Sequence, residues 1–352
     1  MEFGLFTLMD FHAGQQTEPQ YYQDTIDLIV EAEAHGYTSA WVGEEHFYSF
    51  GVCPSPQLLL STLASRTDAM RLGTSISLLP FDHPIRKAED FAMVDILTGG
   101  RLDFGVGRGS IQRHFEGFRV NPAESKPRYE ESLAIIKKAW TQQSVTHEGQ
   151  FWQVRDVTVS PRPIQRPHPP VYRGTVSVES YETAGVVGDN AFVTAWLVAP
   201  HAEMRTRLDR YRALAAQNGH STREASVFFL FCDTDQQAAI REAREITSAY
   251  AQFITGHAKG RALVGADRGA QAGPNSSLFS QRDFILSIGD HIEERAIVGT
   301  PQACIRRLEE IDDELGLDQV LFYFHAGAWD IGKARRNLEL FGKEVIPHFD
   351  GQ

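Results

Sequence analysis

The chain has 352 residues, of which 42% are hydrophobic and 23% charged, and this composition is typical of a folded protein with a large buried core. Its formal net charge of -12 argues against a nucleic-acid or anionic-membrane partner. No apolar run approaches the ~20 residues that span a bilayer, and no basic segment of a signal peptide follows Met1. Three scattered cysteines, Cys53, Cys232 and Cys304, are typical of reduced thiols. These features predict a soluble cytoplasmic protein.

Apolar segments rich in β-forming residues alternate with segments of helical periodicity along the chain. Thr17 and Gln20 form the capping box that starts the first helix. Eight strands are predicted, at residues 3–8, 38–43, 71–79, 102–106, 171–174, 191–195, 226–231 and 319–324. This alternation predicts an α/β fold, a (β/α)8 TIM barrel, and favours it over a doubly wound sheet. Because no linker interrupts the pattern, we expect residues 1–352 to form a single domain.

Two stretches depart from the strand–helix repeat. Residues 144–169 have the pattern of a short hairpin followed by a Pro-rich segment, and they precede the fifth strand. Residues 256–290 follow the seventh strand and its helix, and the first part of this stretch is rich in glycine and poor in apolar residues. Long stretches without regular structure in a compact domain are usually active-site lids or disordered segments. We therefore predict a mobile lid insertion at 256–290.

The second predicted strand ends abruptly in two carboxylates and an imidazole, Glu44, Glu45 and His46. Active sites of barrels lie at the carboxyl ends of the strands. Three interpretations of this cluster are open: capping and ion-pair groups, metal ligation, and a hydrogen-bonding or acid/base group that faces a bound cofactor. A metal site would draw on other residues near strand ends, namely Asp10, His12, His83 and His325.

A glycine-rich stretch, Gly105–Ser110, follows the fourth strand. It lacks the complete dinucleotide pattern, and the next helix is predicted only some 15 residues later, at Ser125, so a pyrophosphate would have no helix terminus to bind. We therefore reject a Rossmann site. The glycines instead allow a ligand or another backbone segment to approach closely.

A candidate anion site follows the fifth strand. Ser177 and Ser180 stand at the start of a predicted helix, where free N–H groups and the helix dipole favour a phosphate. Arg108 and Arg128 are candidates for charge-assisted hydrogen bonds to that phosphate. The competing interpretation makes Ser177 an ordinary N-cap and the arginines surface ion-pair groups.

Five motifs, in order along nearly the whole chain, resemble the bacterial luciferase-like flavin monooxygenases. The motifs are Phe3-Gly4, Trp41–Phe47, Leu78–Pro80 with His83–Arg86, Gly99–Gly109, and Val298–Pro301. The resemblance implies FMN in the barrel mouth, delivered as reduced FMN by a separate flavin reductase, and a reaction with O2 and a small organic substrate. It also implies a homodimer.

The resemblance further implies roles for individual residues. Arg108, Arg128, Ser177 and Ser180 match the positions that hold the flavin phosphate in the family. The strand-three bend, Ser75, Ile76 and Ser77, matches the segment that packs against the isoalloxazine. His46 would hydrogen-bond or shuttle a proton at the reacting centre, with Glu44 or Glu45 fixing its tautomer.

This chain departs from the light-emitting subunit at two places. Glu45 stands where that subunit has its catalytic first histidine, and Gly107 stands beside the flavin where it has a reactive cysteine. Light emission is therefore not expected. The predicted function is that of an FMN-dependent monooxygenase that inserts one oxygen atom from O2 into a small organic substrate.

Three alternatives remain open at the level of sequence. A deazaflavin-dependent oxidoreductase would use a similar barrel to move hydride without oxygen. A catalytically silent partner, like the second luciferase subunit, would stabilise an active chain. A metal-dependent barrel hydrolase would need a metal centre among the strand-end residues.

Overall fold

The computed structural model describes residues 1–12, 14–47, 51–193, 201–257, 292, 296–324 and 329–350. The strands are β1 (Glu2–Thr7), β2 (Ser39–Val42), β3 (Arg71–Thr74), β4 (Ser77–Leu78), β5 (Leu102–Gly107), β6 (Val145–Glu148), β7 (Gln153–Val157), β8 (Val171–Thr175), β9 (Asn190–Val193), β10 (Glu224–Cys232), β11 (Ala296–Gly299) and β12 (Gln319–Tyr323). The helices are α1 (Glu18–Ala34), α2 (Pro56–Ala64), α3 (Pro84–Leu97), α4 (Gln112–Phe118), α5 (Ser125–Thr141), α6 (Val178–Val187), α7 (His201–Gln217), α8 (Gln236–His257), α9 (Pro301–Leu315), α10 (Ile331–Glu344) and α11 (Ile346–Phe349).

Eight parallel strands close into a ring. The order runs β1, β2, β3, β5, β8, β9, β10 and β12, and the pairing of β12 with β1 completes the circle. Helices follow the strands on the outside, and the predicted (β/α)8 TIM barrel is confirmed. No helix in the described part of the chain combines the length and apolar composition needed to cross a bilayer.

Large rings fill the barrel interior beneath its mouth. The Trp41 indole lies 4.8 Å from the ring of Tyr172 and 5.5 Å from that of Phe192. Gly73 makes room for this indole, because a Cβ at that position would come within 2.3 Å of it. The interior is therefore a packed core, and ligands have access only at its ends.

The predicted first helix and the predicted hairpin are confirmed. Thr17 is the N-cap of α1, and its hydroxyl accepts a hydrogen bond from the Gln20 N–H, as the capping box requires. Strands β6 and β7 pair antiparallel within residues 145–157. The Pro-rich segment then leads back to β8, the fifth strand of the ring.

The apolar pattern predicted the third strand as one continuous element, whereas the family resemblance placed a bend at Ser75, Ile76 and Ser77, and the structure has that bend. β3 ends at Thr74, a bend with a cis peptide bond between Ser75 and Ile76 follows, and β4 resumes the pairing with β5. The bend is accommodated because Gly105 on β5 has no side chain: a Cβ there would lie 1.7 Å from the Thr74 carbonyl oxygen. The apolar pattern of residues 71–79 carries no sign of this interruption.

Two further elements differ from the predictions. The helix after Gly105–Ser110 is α4, which begins at Gln112 and not some 15 residues later as predicted. The prediction missed α4 because its seven residues are largely polar and bury only His114 and Phe115, which gives a weak periodic signal. β11 was not predicted. It pairs with the carboxyl-terminal part of β10, on the side of β10 that β9 also occupies and that faces away from β12. The predicted lid at 256–290 begins within α8, and residues 258–290 lie outside the described residues.

Candidate active site at the barrel mouth

The residues after β2 turn into the carboxyl end of the barrel, where Glu44 is held by four groups. Its Oε1 lies 3.1 Å from His46 Nε2. Its Oε2 accepts hydrogen bonds from the Ser77 hydroxyl (2.8 Å), the Leu78 N–H (3.2 Å) and the Lys87 ammonium (3.0 Å). Strand β4 and helix α3 thus converge on one buried carboxylate.

The electrostatics of this carboxylate are set by its partners. Burial by itself would raise the pKa of Glu44, but the Lys87 charge and the hydrogen bond with His46 outweigh it and lower the pKa of Glu44 to about 2. Glu44 is therefore ionised throughout the physiological range. Of the two carboxylates considered beside His46, Glu44 is the one in contact with its ring.

The second carboxylate, Glu45, faces another imidazole. Its Oε2 lies 3.2 Å from Nε2 of His114, a buried residue of α4. The same Nε2 accepts a hydrogen bond from the His46 N–H at 3.2 Å. Phe118 of α4 packs edge-on against the His46 ring, with a centroid distance of 4.8 Å. α4 therefore forms one wall around His46.

The bend after β3 lies beside the glycine predicted to contact the cofactor. A Cβ at Gly107 would come within 1.8 Å of the Ile76 Cδ1, so the Ile76 side chain lies over β5. Ser77 is committed to Glu44. The Ser75 hydroxyl oxygen is buried and has no hydrogen-bond partner among the described residues. A buried unsatisfied hydroxyl at the barrel mouth fits a site that is completed by a polar ligand.

The candidate anion site lies one strand further around the ring. Val106 is in register with Arg173, so Arg108, two residues on, lies beside the end of β8, shortly before α6 begins. Ser177 is the N-cap of α6 and accepts from the Ser180 N–H at 3.3 Å, as the capping interpretation predicted. The Ser180 hydroxyl donates to the Ser177 carbonyl oxygen. The first-turn N–H groups of such a helix have no acceptor within the helix.

The cations around this helix start differ from the predicted set. Lys126, at the start of α5, forms an ion pair with Glu179 on α6. The hydrogen bond from Lys126, with a smaller effect from the Arg108 charge, lowers the pKa of Glu179. Arg128 instead donates to Glu124 at 2.8 Å and lies 4.5 Å above the Phe151 ring. The structure thus brings Arg108 to the start of α6, whereas Arg128 is engaged elsewhere.

A metal centre receives no support from the strand-end residues that are described. No group of three His, Cys, Asp or Glu side chains is arranged to hold a metal ion within that part of the chain. The Asp10 carboxylate accepts from the Tyr323 hydroxyl at 2.7 Å, and the His83 ring caps α3 through the Ile85 N–H. His325 lies outside the described residues.

Sequence reasoning missed three residues of this site: Lys87, His114 and Lys126. Lys87 carried a usable signal, because it falls on the buried face of α3 with Pro84, Ala88 and Phe91, where a charged residue is unusual. His114 and Lys126 had no such signal. Each acquires its role only when a distant carboxylate folds against it.

Comparison with known proteins supports the assignment suggested by the motifs. The model of the luciferase-like monooxygenase family matches residues 1–319. The chain belongs to this family. The oxygenase component of the flavin-dependent trigonelline monooxygenase of Acinetobacter baylyi is 29% identical to it over 99% of this chain and 96% of that protein. The predicted membership of the family and the predicted class of enzyme, a monooxygenase, are both confirmed.

Two solved structures show how widely the family fold is used. The oxygenating constituent of 3,6-diketocamphane monooxygenase from Pseudomonas putida, in complex with FMN, has a TM-score of 0.79 and 20% identity, covering 99% of this chain and 98% of that chain. The coenzyme F420-dependent tetrahydromethanopterin reductase of Methanopyrus kandleri has a TM-score of 0.70 and 22% identity, covering 99% of each chain. At these identities the likeness shows the fold alone.

Proposed function

We propose that this luciferase-like protein is the oxygenase of a two-component, FMN-dependent monooxygenase that transfers one oxygen atom from O2 to a small organic substrate. The observation that carries the proposal is that one barrel mouth contains both an ionised Glu44 hydrogen-bonded to His46 and Arg108 at the start of α6. His46, hydrogen-bonded to Glu44, can hold a proton at a defined atom, and Arg108 with the start of α6 can hold a phosphate.

The residues of the mouth fit a flavin mononucleotide. Arg108 and the first turn of α6, with Ser177 and Ser180, would hold the phosphate. The unsatisfied Ser75 hydroxyl and the Ile76 side chain would lie against the ring system. Arg128 would join the phosphate only by giving up its bond to Glu124.

Reduced flavin, when bound, supplies the electrons that activate O2. The chain itself contributes binding, orientation and exclusion of water. Phe47 and Phe118 pack against the His46 ring and give it apolar neighbours. His46, fixed by Glu44, would hold or accept a proton next to the reacting oxygen.

We further propose that a separate reductase delivers the reduced FMN. The relative from A. baylyi is the oxygenase component of a flavin-dependent monooxygenase, and an oxygenase component implies a partner that supplies the reduced flavin. Candidate substrates for this chain come from the compounds after which the related monooxygenases are named. Trigonelline and 3,6-diketocamphane are therefore the first candidates to test.

A deazaflavin-dependent oxidoreductase is the second candidate function, favoured by the F420-dependent reductase among the structural neighbours. The two can be separated by anaerobic titration of the purified protein with reduced FMN and with reduced F420, followed by admission of ¹⁸O-labelled O2 with each candidate substrate. We expect tighter binding of reduced FMN and one ¹⁸O atom in the product. Tighter binding of F420, with hydride transfer and no labelled product, would reject the monooxygenase.

Replacing Arg108 with alanine is expected to raise the Kd for reduced FMN by roughly 10- to 100-fold, because a charge-assisted bond to phosphate contributes about 1.5–3 kcal/mol. Binding of reduced riboflavin, which lacks the phosphate, should be unchanged. Arg113→Ala, a change at an exposed residue of α4, provides the matched control. Equal losses for FMN and riboflavin would show that Arg108 does not bind the phosphate.

The proposed homodimer would use the apolar outer faces of α2 and α3. Leu58 on α2 and Met93, Ile96 and Leu97 on α3 expose between 41% and 69% of their surface, more apolar exposure than two neighbouring helices of a monomer commonly show. Leu97→Glu is expected to convert the dimer to a monomer in sedimentation experiments. Val187→Glu, at an exposed apolar residue of α6, should leave the dimer intact.

A further inference from the structure

Lys87 is the most deeply buried lysine or arginine among the described residues. It lies on α3, is 2% exposed, and places its ammonium 3.0 Å from Glu44 Oε2 and 3.7 Å from Asp82 Oδ2. Burying an ammonium is costly unless a carboxylate compensates it. Such a group is therefore retained for a structural pairing or for what it does to its partner.

We propose that Lys87 is a positioning residue of the active site, which acts through Glu44 to fix the protonation and ring orientation of His46. The proposal rests on the proposed monooxygenase function, since it assigns a task to a residue of the same site. The Lys87 ammonium contacts the Glu44 and Asp82 carboxylates, so its effect on His46 passes through Glu44.

An ionised carboxylate can accept hydrogen bonds but cannot donate one. Glu44, ionised beside Lys87, has no proton to donate, so both of its oxygens act only as acceptors. Oε2 is occupied by Lys87, the Ser77 hydroxyl and the Leu78 N–H. Oε1 is left for His46 Nε2, which must therefore carry a hydrogen. In neutral His46 the lone pair is then on Nδ1, and this is the atom able to accept a proton.

Other charged and titratable groups around the couple leave this assignment in place. Asp82 shares Lys87 from the solvent side. Glu45 Oε2 lies 3.2 Å from His114 Nε2, and that nitrogen accepts a hydrogen bond from the His46 N–H, which fixes the backbone of His46. Burial and the Glu44 charge raise the pKa of the Cys53 thiol to about 12, so Cys53 remains neutral. Lys87 is the cation in direct contact with Glu44.

Removing the Lys87 ammonium removes the main charge that keeps the buried Glu44 ionised. Glu44 would remain buried without a cation, and a buried carboxylate without compensation takes up a proton or shares one with a neighbouring base. The Glu44–His46 couple would therefore hold one more proton at neutral pH. His46 would no longer present a fixed lone pair at Nδ1, and the low-pH limb of the activity profile would move to higher pH.

The direct test is ¹⁵N NMR of the His46 ring in protein without flavin, comparing the native protein with Lys87→Met, Lys87→Arg and Lys137→Met. Lys137 pairs with the buried Asp189 away from the mouth and is the matched control. We expect the native protein and Lys137→Met to show the neutral tautomer with hydrogen on Nε2. Lys87→Met should show a doubly protonated or mixed ring, and Lys87→Arg should restore the native pattern.

Two further measurements keep the result unambiguous. If Lys87→Met does not fold, the double variant Lys87→Met/Glu44→Gln removes both charges, and it should fold but lose the single tautomer. In oxygenation assays, Lys87→Met should lower kcat about 10-fold or more with little change in KM. A native tautomer in Lys87→Met, or in the double variant, would overturn the proposal. Failure of the proposed function would instead show as absent ¹⁸O transfer by the native protein, whatever the NMR result.

Discussion

Replacing His46 with alanine is expected to lower the rate of coupled oxygenation by about 100- to 10,000-fold, the usual contribution of a positioned acid/base group. Its Nε2 lies 3.1 Å from Oε1 of the ionised Glu44, and its ring centroid lies 4.8 Å from that of Phe118. His46 thus has both a fixed hydrogen-bond partner and an apolar neighbour. Without it, reduced FMN should still bind and be reoxidised, because the residues proposed to hold its phosphate are untouched. The electrons should then appear as hydrogen peroxide.

The measurement is the yield of oxygenated product and of hydrogen peroxide per reduced FMN consumed, with the compound that the native enzyme oxygenates. His46→Gln refines the test, because an amide can keep the bond to Glu44 but cannot transfer a proton. It should fold like the native protein and be as slow as His46→Ala. His220→Ala, at an exposed histidine, serves as the control. A native product yield in His46→Gln would assign His46 a purely structural role.

The barrel could be predicted from the sequence because its signals are local. A buried parallel strand shows as an apolar run, and the helix starts carry their own caps, as at Thr17 and Ser177. The division of the third strand had no such local signal, and only the family resemblance placed a bend there. It depends on Thr74 meeting Gly105, 31 residues away, where the missing side chain of the glycine admits the bend.

The site was predictable where its chemistry is written in adjacent residues. Glu44 and His46 stand two residues apart, and the structure joins their side chains. The partners that define their state, Lys87 and His114, are 43 and 68 residues away from the groups that they contact. Motif reasoning also grouped Arg128 with Arg108, but it could not foresee that Glu124, one helical turn before Arg128, would engage its guanidinium.

Arg101 is expected to be a large polar contributor to stability, and Arg101→Met should lower the free energy of unfolding by about 3 kcal/mol. Its guanidinium donates to the carbonyl oxygens of Ala64 (3.2 Å), Thr67 (3.0 Å), Met70 (2.6 Å) and Thr98 (2.7 Å), and to the Thr67 hydroxyl (2.9 Å). One side chain thereby satisfies the carboxyl ends of α2 and α3, where the helix dipole also favours a cation.

The loss arises because methionine replaces the stem of Arg101 but leaves these carbonyl groups without donors. Denaturant unfolding should show the full effect in Arg101→Met and a smaller but still large effect in Arg101→Lys, because an ammonium cannot reach acceptors on both helix ends. Arg155→Met removes an exposed arginine with a distant 3.8 Å ion pair and should change the free energy of unfolding by less than about 0.5 kcal/mol. If Arg101→Met unfolded at the same denaturant concentration as Arg155→Met, the hydrogen bonds from Arg101 to the ends of α2 and α3 would contribute nothing to stability.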